Sequence, residues 1–67
     1  MNAETIGKKL KDLREARGLT QAQVAEALSL SPMAVSMYET GQRIPRDLTK
    51  VRLADFYGET VQSIFYA

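Results

Sequence analysis

The chain has 67 residues, neither cysteine nor histidine, nine Lys and Arg against eight Asp and Glu, and a formal net charge of +1. A chain this short is expected to form one domain, residues 1–67, with one small core and no room for a deep cleft. The two missing residue types rule out disulfides, thiol chemistry, the usual zinc ligands and a serine–histidine triad, so the sequence argues against an enzyme and predicts no metal and no cofactor.

Five helices are predicted in chain order, and no strand. The first runs from Ala3 to Ala16, because Ile6, Leu10, Leu13 and Arg17 recur at the three- and four-residue steps of one helix face. Gly18 is its stop, since glycine tolerates the left-handed backbone past a helix end. Thr20 caps the second helix, with Val24, Ala25 and Leu28 as its apolar stripe. Ser29-Leu30 breaks the chain, with Leu30 expected to be buried in the turn. Ser31-Pro32 then opens the third helix: serine caps, and proline suits the first helical position because its missing amide hydrogen is not needed there. Val35 and Tyr38 are expected inward, with Met33, Ser36 and Met37 on the other side and Thr40-Gly41 at the end.

A loop from Gln42 to Arg46 follows, stiffened by Pro45. Asp47 is expected to cap a fourth helix, Leu48 to Tyr57, whose apolar positions are Val51, Leu53, Ala54 and Tyr57 and whose stop is Gly58. Thr60 caps a short fifth helix that closes the core with Val61, Ile64 and Phe65. No apolar run approaches the roughly 20 residues a membrane helix needs, and no signal-peptide pattern is visible. The expectation is a cytoplasmic protein without a membrane partner.

Whole-chain charge gives little support for a nucleic-acid partner, but its distribution gives more. Between Thr40 and Arg52 four cations (Arg43, Arg46, Lys50, Arg52) stand against the single acid Asp47. Helices two and three are short and joined by about three residues, which forces a steep crossing and lets one helix brace on the backbone while the next enters the major groove.

The stretches Leu19-Thr-Gln-Ala-Gln-Val-Ala-Glu-Ala-Leu28 and Ser31-Pro-Met-Ala-Val-Ser-Met-Tyr-Glu-Thr-Gly41 resemble the Cro/C1-type (XRE-like) helix-turn-helix family of phage and bacterial repressors. The resemblance reaches Ala54, Tyr57-Gly58 and Val61-x-x-Ile64-Phe65, nearly the whole chain. It implies an all-α, lambda-repressor-like five-helix domain that binds double-stranded DNA as a transcription regulator.

The resemblance also implies roles. Gln21 is placed on a phosphate at the start of helix two, where free amides favour an anion. Ser31, Pro32, Met33, Ser36 and Met37 take the groove-facing positions. Here the chain departs from many relatives: methionines cannot make the paired hydrogen bonds that read guanine or adenine, though they can touch thymine methyls. Gln42 and Arg43 take phosphate positions in the loop after helix three, and Arg46 and Lys50 are additional candidates for phosphate contact. Arg14 and Glu39 match a structural ion pair rather than a catalytic one.

A homodimer, at least on DNA, and a near-palindromic operator are expected, and Tyr66 is a candidate for the dimer seam. The competing reading is a protein-interaction module on the same fold, motivated by the near-zero net charge and by methionines suited to adaptable protein surfaces.

Overall fold

A computed structural model describes residues 2–67. The described residues form four α-helices, α1 (Ala3–Ala16), α2 (Gln21–Leu28), α3 (Pro32–Thr40) and α4 (Asp47–Tyr57), and a π-helical turn, Gln62–Tyr66; none of them is in a strand. The particle measures 26 × 23 × 22 Å.

Each helix begins where its sequence supplies a partner for otherwise orphaned amides, with one exception. The Asn2 side chain accepts from Thr5 N at 2.8 Å and opens α1. Thr20 and Gln23 form a reciprocal capping box at α2. Ser31 Oγ accepts from Ala34 N at 3.0 Å, and Pro32 follows as the first helical residue of α3. The exception is α4. Asp47 does not cap it: Arg46 occupies the capping position without a side-chain hydrogen bond, and Asp47 is already helical. The extended backbone after Pro45 places the cap one residue earlier than the acid, and Asp47 instead contributes its charge to the positive end of the helix.

Glycines in the left-handed conformation follow α3 and α4, Gly41 at φ 81° and Gly58 at φ 67°. α2 ends on Ser29 in the same conformation, φ 55°. A residue with a Cβ there carries a strain that glycine would not.

The core collects Ile6, Leu10, Val24, Ala25, Leu28, Val35, Tyr38, Leu53, Ala54, Tyr57, Ile64 and Phe65, with Leu13, Leu19, Leu30 and Val61 packed at its edge. Val51 is not part of it and stays about half exposed. The buried face of α4 is set by Leu53, Ala54 and Tyr57, and at 100° per residue Val51 falls to the flank of that face. The C-terminal turn is wound wider than an α-helix. Thr60 Oγ1 accepts from Ser63 N at 3.0 Å, and the turn seats Ile64 and Phe65, each 1% exposed, against the core.

α1 and α3 pack with their backbones nearly touching, and Gly7 is the reason they can. A Cβ at Gly7 would fall 2.7 Å from the carbonyl oxygen of Tyr38 and closer still to that of Glu39. No helix among the described residues is long and apolar enough to cross a membrane, and no cluster of acidic residues there is suited to hold a metal.

Candidate nucleic-acid interface

α2 and α3 are joined only by Ser29, Leu30 and Ser31. Leu30 N donates to Ala25 O at 2.8 Å, and its side chain packs on the core, which pins the turn from inside. Val35, Tyr38 and Glu39 bury the inner face of α3. The helix period then sends Pro32, Met33, Ser36 and Met37 to a shared outer face. Pro32 is exposed, Met33 is 71% exposed, and Ser36 and Met37 are half-buried. Ser31 is exposed at the helix entrance, with its oxygen engaged in the cap and its hydrogen still free to donate.

The loop after α3 starts from one carbonyl. Met37 O accepts from Gly41 N, from Gln42 N at 3.0 Å and from Arg43 N at 3.3 Å. That convergence folds the chain back at once and holds Gln42 and Arg43 beside the end of α3, both exposed. The Gln42 amide donates to Thr40 Oγ1 at 3.1 Å. Pro45 is buried and anchors the loop's far end, leaving Arg46 exposed at the mouth of α4.

Lys50 is turned away from this group. Its ammonium donates to the Tyr66 hydroxyl at 2.8 Å and lies 4.9 Å from the centre of that ring. The contact ties α4 to the C-terminal turn, and it engages the tip of Tyr66 within the chain.

Behind the outer face sits a polar knot. Arg14 Nε donates to Glu39 Oε2 at 2.7 Å, and a terminal Arg14 nitrogen donates to Glu39 Oε1 at 3.0 Å. The third Arg14 donor reaches Leu19 O at 2.8 Å. Gln21 joins: its amide nitrogen donates to Glu39 Oε1 at 3.1 Å. The Glu39 side chain is only 3% exposed, and these hydrogen bonds are what make its burial tolerable. The carboxylate holds the Arg14 guanidinium above its ordinary pKa, chiefly through the hydrogen bond. Burial, with the Glu39 charge second, pushes the nearby Tyr57 phenol up to about 12.

The resemblance paired Arg14 with Glu39, but Gln21 entered the sequence reading only as a phosphate ligand. Here one of its amide hydrogens belongs to the knot, and the second has no partner among the described residues. The positions carry a signal for this: residues 14, 21 and 39 lie on three helices that meet, and a buried carboxylate with two oxygens needs more than one partner.

A helix-turn-helix whose second helix exposes its first turn and whose following loop carries cations defines the class of this chain, and the family description "Helix-turn-helix" matches residues 10–64. The chain belongs to the Cro/C1-type helix-turn-helix family. It is 36% identical over 53 residues to the HTH-type transcriptional regulator ImmR of Bacillus subtilis (strain 168); the match covers 79% of this chain and 42% of that relative. The chain therefore spans less than half the length of the relative. No solved structure matches the chain significantly.

Proposed function

We propose that this chain is a cytoplasmic, sequence-specific binder of double-stranded DNA that regulates transcription as a repressor, occupying a near-palindromic operator as a dimer. The observation that carries the reading is the outer face of α3. A domain with so small a core leaves Met33 71% exposed at the first turn of a helix whose opposite face is buried. The loop that follows the same helix carries Arg43 and Arg46, both exposed. The family and the relative's description as a transcriptional regulator support the same reading.

In this reading Ser31, Pro32, Met33, Ser36 and Met37 face the bases. The methionines favour steps that present thymine methyls, and the serines add hydrogen bonds of low selectivity. Gln42, Arg43 and Arg46 hold phosphates, and Gln21 offers its remaining amide hydrogen to another. The knot of Arg14, Gln21 and Glu39 fixes the angle at which α3 is presented.

Selection from a random duplex library, with affinities measured at low and moderate salt, tests the reading. The expected result is an enriched near-palindrome bound with a steep salt dependence, since each phosphate neutralised adds about 0.9 to the logarithmic slope. A chain that enriches nothing, and whose contacts ignore salt, is instead a protein-interaction module.

A further inference from the structure

The outer face of α3 carries an oxidisable group. Met33 is 71% exposed at the second position of the helix, directly after Pro32. Its thioether stands in solvent, while Met37 on the same face is half-buried. The chain has no cysteine, histidine or tryptophan to take up an oxidant first. Thioethers are therefore the most readily oxidised side chains it offers, and among the described residues Met33 is the accessible one.

The fold does not depend on that group. Among the described residues, no methionine belongs to the core or to the apolar side chains packed against it. α3 is held by Val35, Tyr38 and Glu39 on its buried face, and its entrance by Ser31 Oγ, which accepts from Ala34 N at 3.0 Å. Oxidation of Met33 thus changes the surface that α3 presents and leaves the helix in place.

The change in chemistry is large. A sulfur lone pair attacks the terminal oxygen of a hydroperoxide, and the S–O bond forms as the O–O bond breaks. The proton on the transferred oxygen passes to the leaving oxygen, which departs as water or an alcohol. Sulfur is oxidised and the hydroperoxide is reduced. A flexible apolar side chain becomes a polar one that ends in a strong acceptor. Against a thymine methyl that acceptor finds no donor, and burying it unpaired costs affinity.

We propose that Met33 is a sulfoxidation site through which a hydroperoxide loosens the chain's hold on its operator, without unfolding the domain and without touching its phosphate contacts. The inference rests on the DNA reading above and adds regulation to it: the contact that favours thymine is the one that an oxidant removes. Reduction of the sulfoxide restores the thioether, so the change is reversible.

Hydrogen peroxide is the probe. Mass spectrometry of peptides locates the added oxygen, and melting temperature and affinities for the selected duplex and an unrelated one are measured before and after treatment. Met33 is expected to be oxidised ahead of Met37, with an unchanged melting temperature. Binding to the selected duplex is expected to weaken roughly tenfold, the scale of one buried polar group left without a partner. Binding to the unrelated duplex and the salt slope both report phosphate contacts and should stay the same. Methionine sulfoxide reductase should return the lost affinity. Met33→Leu, compared only with its own untreated form, should not respond to peroxide, and Met37→Leu should respond as the unaltered chain does.

A chain that enriches a duplex and holds it equally well with Met33 oxidised overturns the switch while the DNA reading stands. An equal loss in treated Met33→Leu also overturns it, by moving the sensitive group elsewhere. A fall in melting temperature that accounts for the lost binding does the same, by making the effect damage to the fold. A chain that enriches no duplex overturns both readings.

Discussion

Glu39 shows how one buried side chain serves three helices. It belongs to α3, receives Arg14 from α1 and Gln21 from α2, and is nearly sealed from water. Removing it leaves the guanidinium partly buried without a counter-charge, a change that costs about 3–5 kcal/mol where burial is deep. Glu39→Ala is expected to lower the melting temperature steeply, while DNA affinity per folded molecule falls far less; calorimetry beside a binding titration corrected for folded fraction separates the two. A normal melting curve would show that the knot contributes nothing.

Tyr57 gives a pH signature. Its phenol is raised above the unfolded value of 10.0 to about 12, so the folded state favours the neutral form. The associated stability is fully present below pH 10 and is lost as pH rises toward 12, by at most about 3 kcal/mol. Urea denaturation between pH 8 and 11.5 should show the unaltered chain losing stability faster than Tyr57→Phe above pH 10. Parallel curves would contradict the burial argument.

In the DNA reading we propose, Met33 is the most exposed of the large apolar side chains that face the bases. Met33→Ala is expected to relax preference at one base position while non-specific affinity stays near its original value. A preference profile identical to that of the unaltered chain would remove Met33 from the reading set.

At the scale of elements, α1 is positioned against α3 by an absence of side chain. Alanine in place of a helical glycine ordinarily stabilises by about 1 kcal/mol. At Gly7 the new methyl would overlap the carbonyls of Tyr38 and Glu39, which are backbone and cannot rotate aside. Gly7→Ala is therefore expected to destabilise by about 2 kcal/mol, lowering the melting temperature by roughly 10 °C in a domain this small. A rise in melting temperature would mean the two helices can part without cost.

The helix ends were legible in the sequence because caps are local chemistry: Thr20, Ser31-Pro32, Gly41 and Gly58 each act within a few residues of their own position. Asp47 misled by one residue, since its cap position depends on where buried Pro45 releases the chain. Gly7 was not legible, because its role depends on the distance between two helices, and the Gln21–Glu39 bond becomes legible only once the three helices are known to meet.

For the molecule as a whole, the unanswered demand is apolar surface. Ile44 and Val51 are about half exposed and Leu48 is 73% exposed. Leu48 and Val51 share one flank of α4 by their three-residue spacing, and Ile44 lies in the loop just before it. Both signs of charge border the group, with Arg46 and Arg52 against Asp47 and Asp55. A twofold partner could therefore meet each cation with an acid from the other copy. Three side chains fall well short of the roughly 800 Å² per partner that a stable interface buries. The dimer we propose is accordingly too weak to persist alone and assembles on DNA, where neighbouring half-sites about 34 Å apart raise the local concentration of one copy near the other. Sedimentation should then find the free chain monomeric at micromolar concentration, and titration of a full operator should be cooperative. Leu48→Glu should abolish that cooperativity and leave affinity for an isolated half-site intact, because Leu48 lies outside the groove-facing set. A stable dimer without DNA, or undiminished cooperativity in Leu48→Glu, would place the contact between subunits elsewhere.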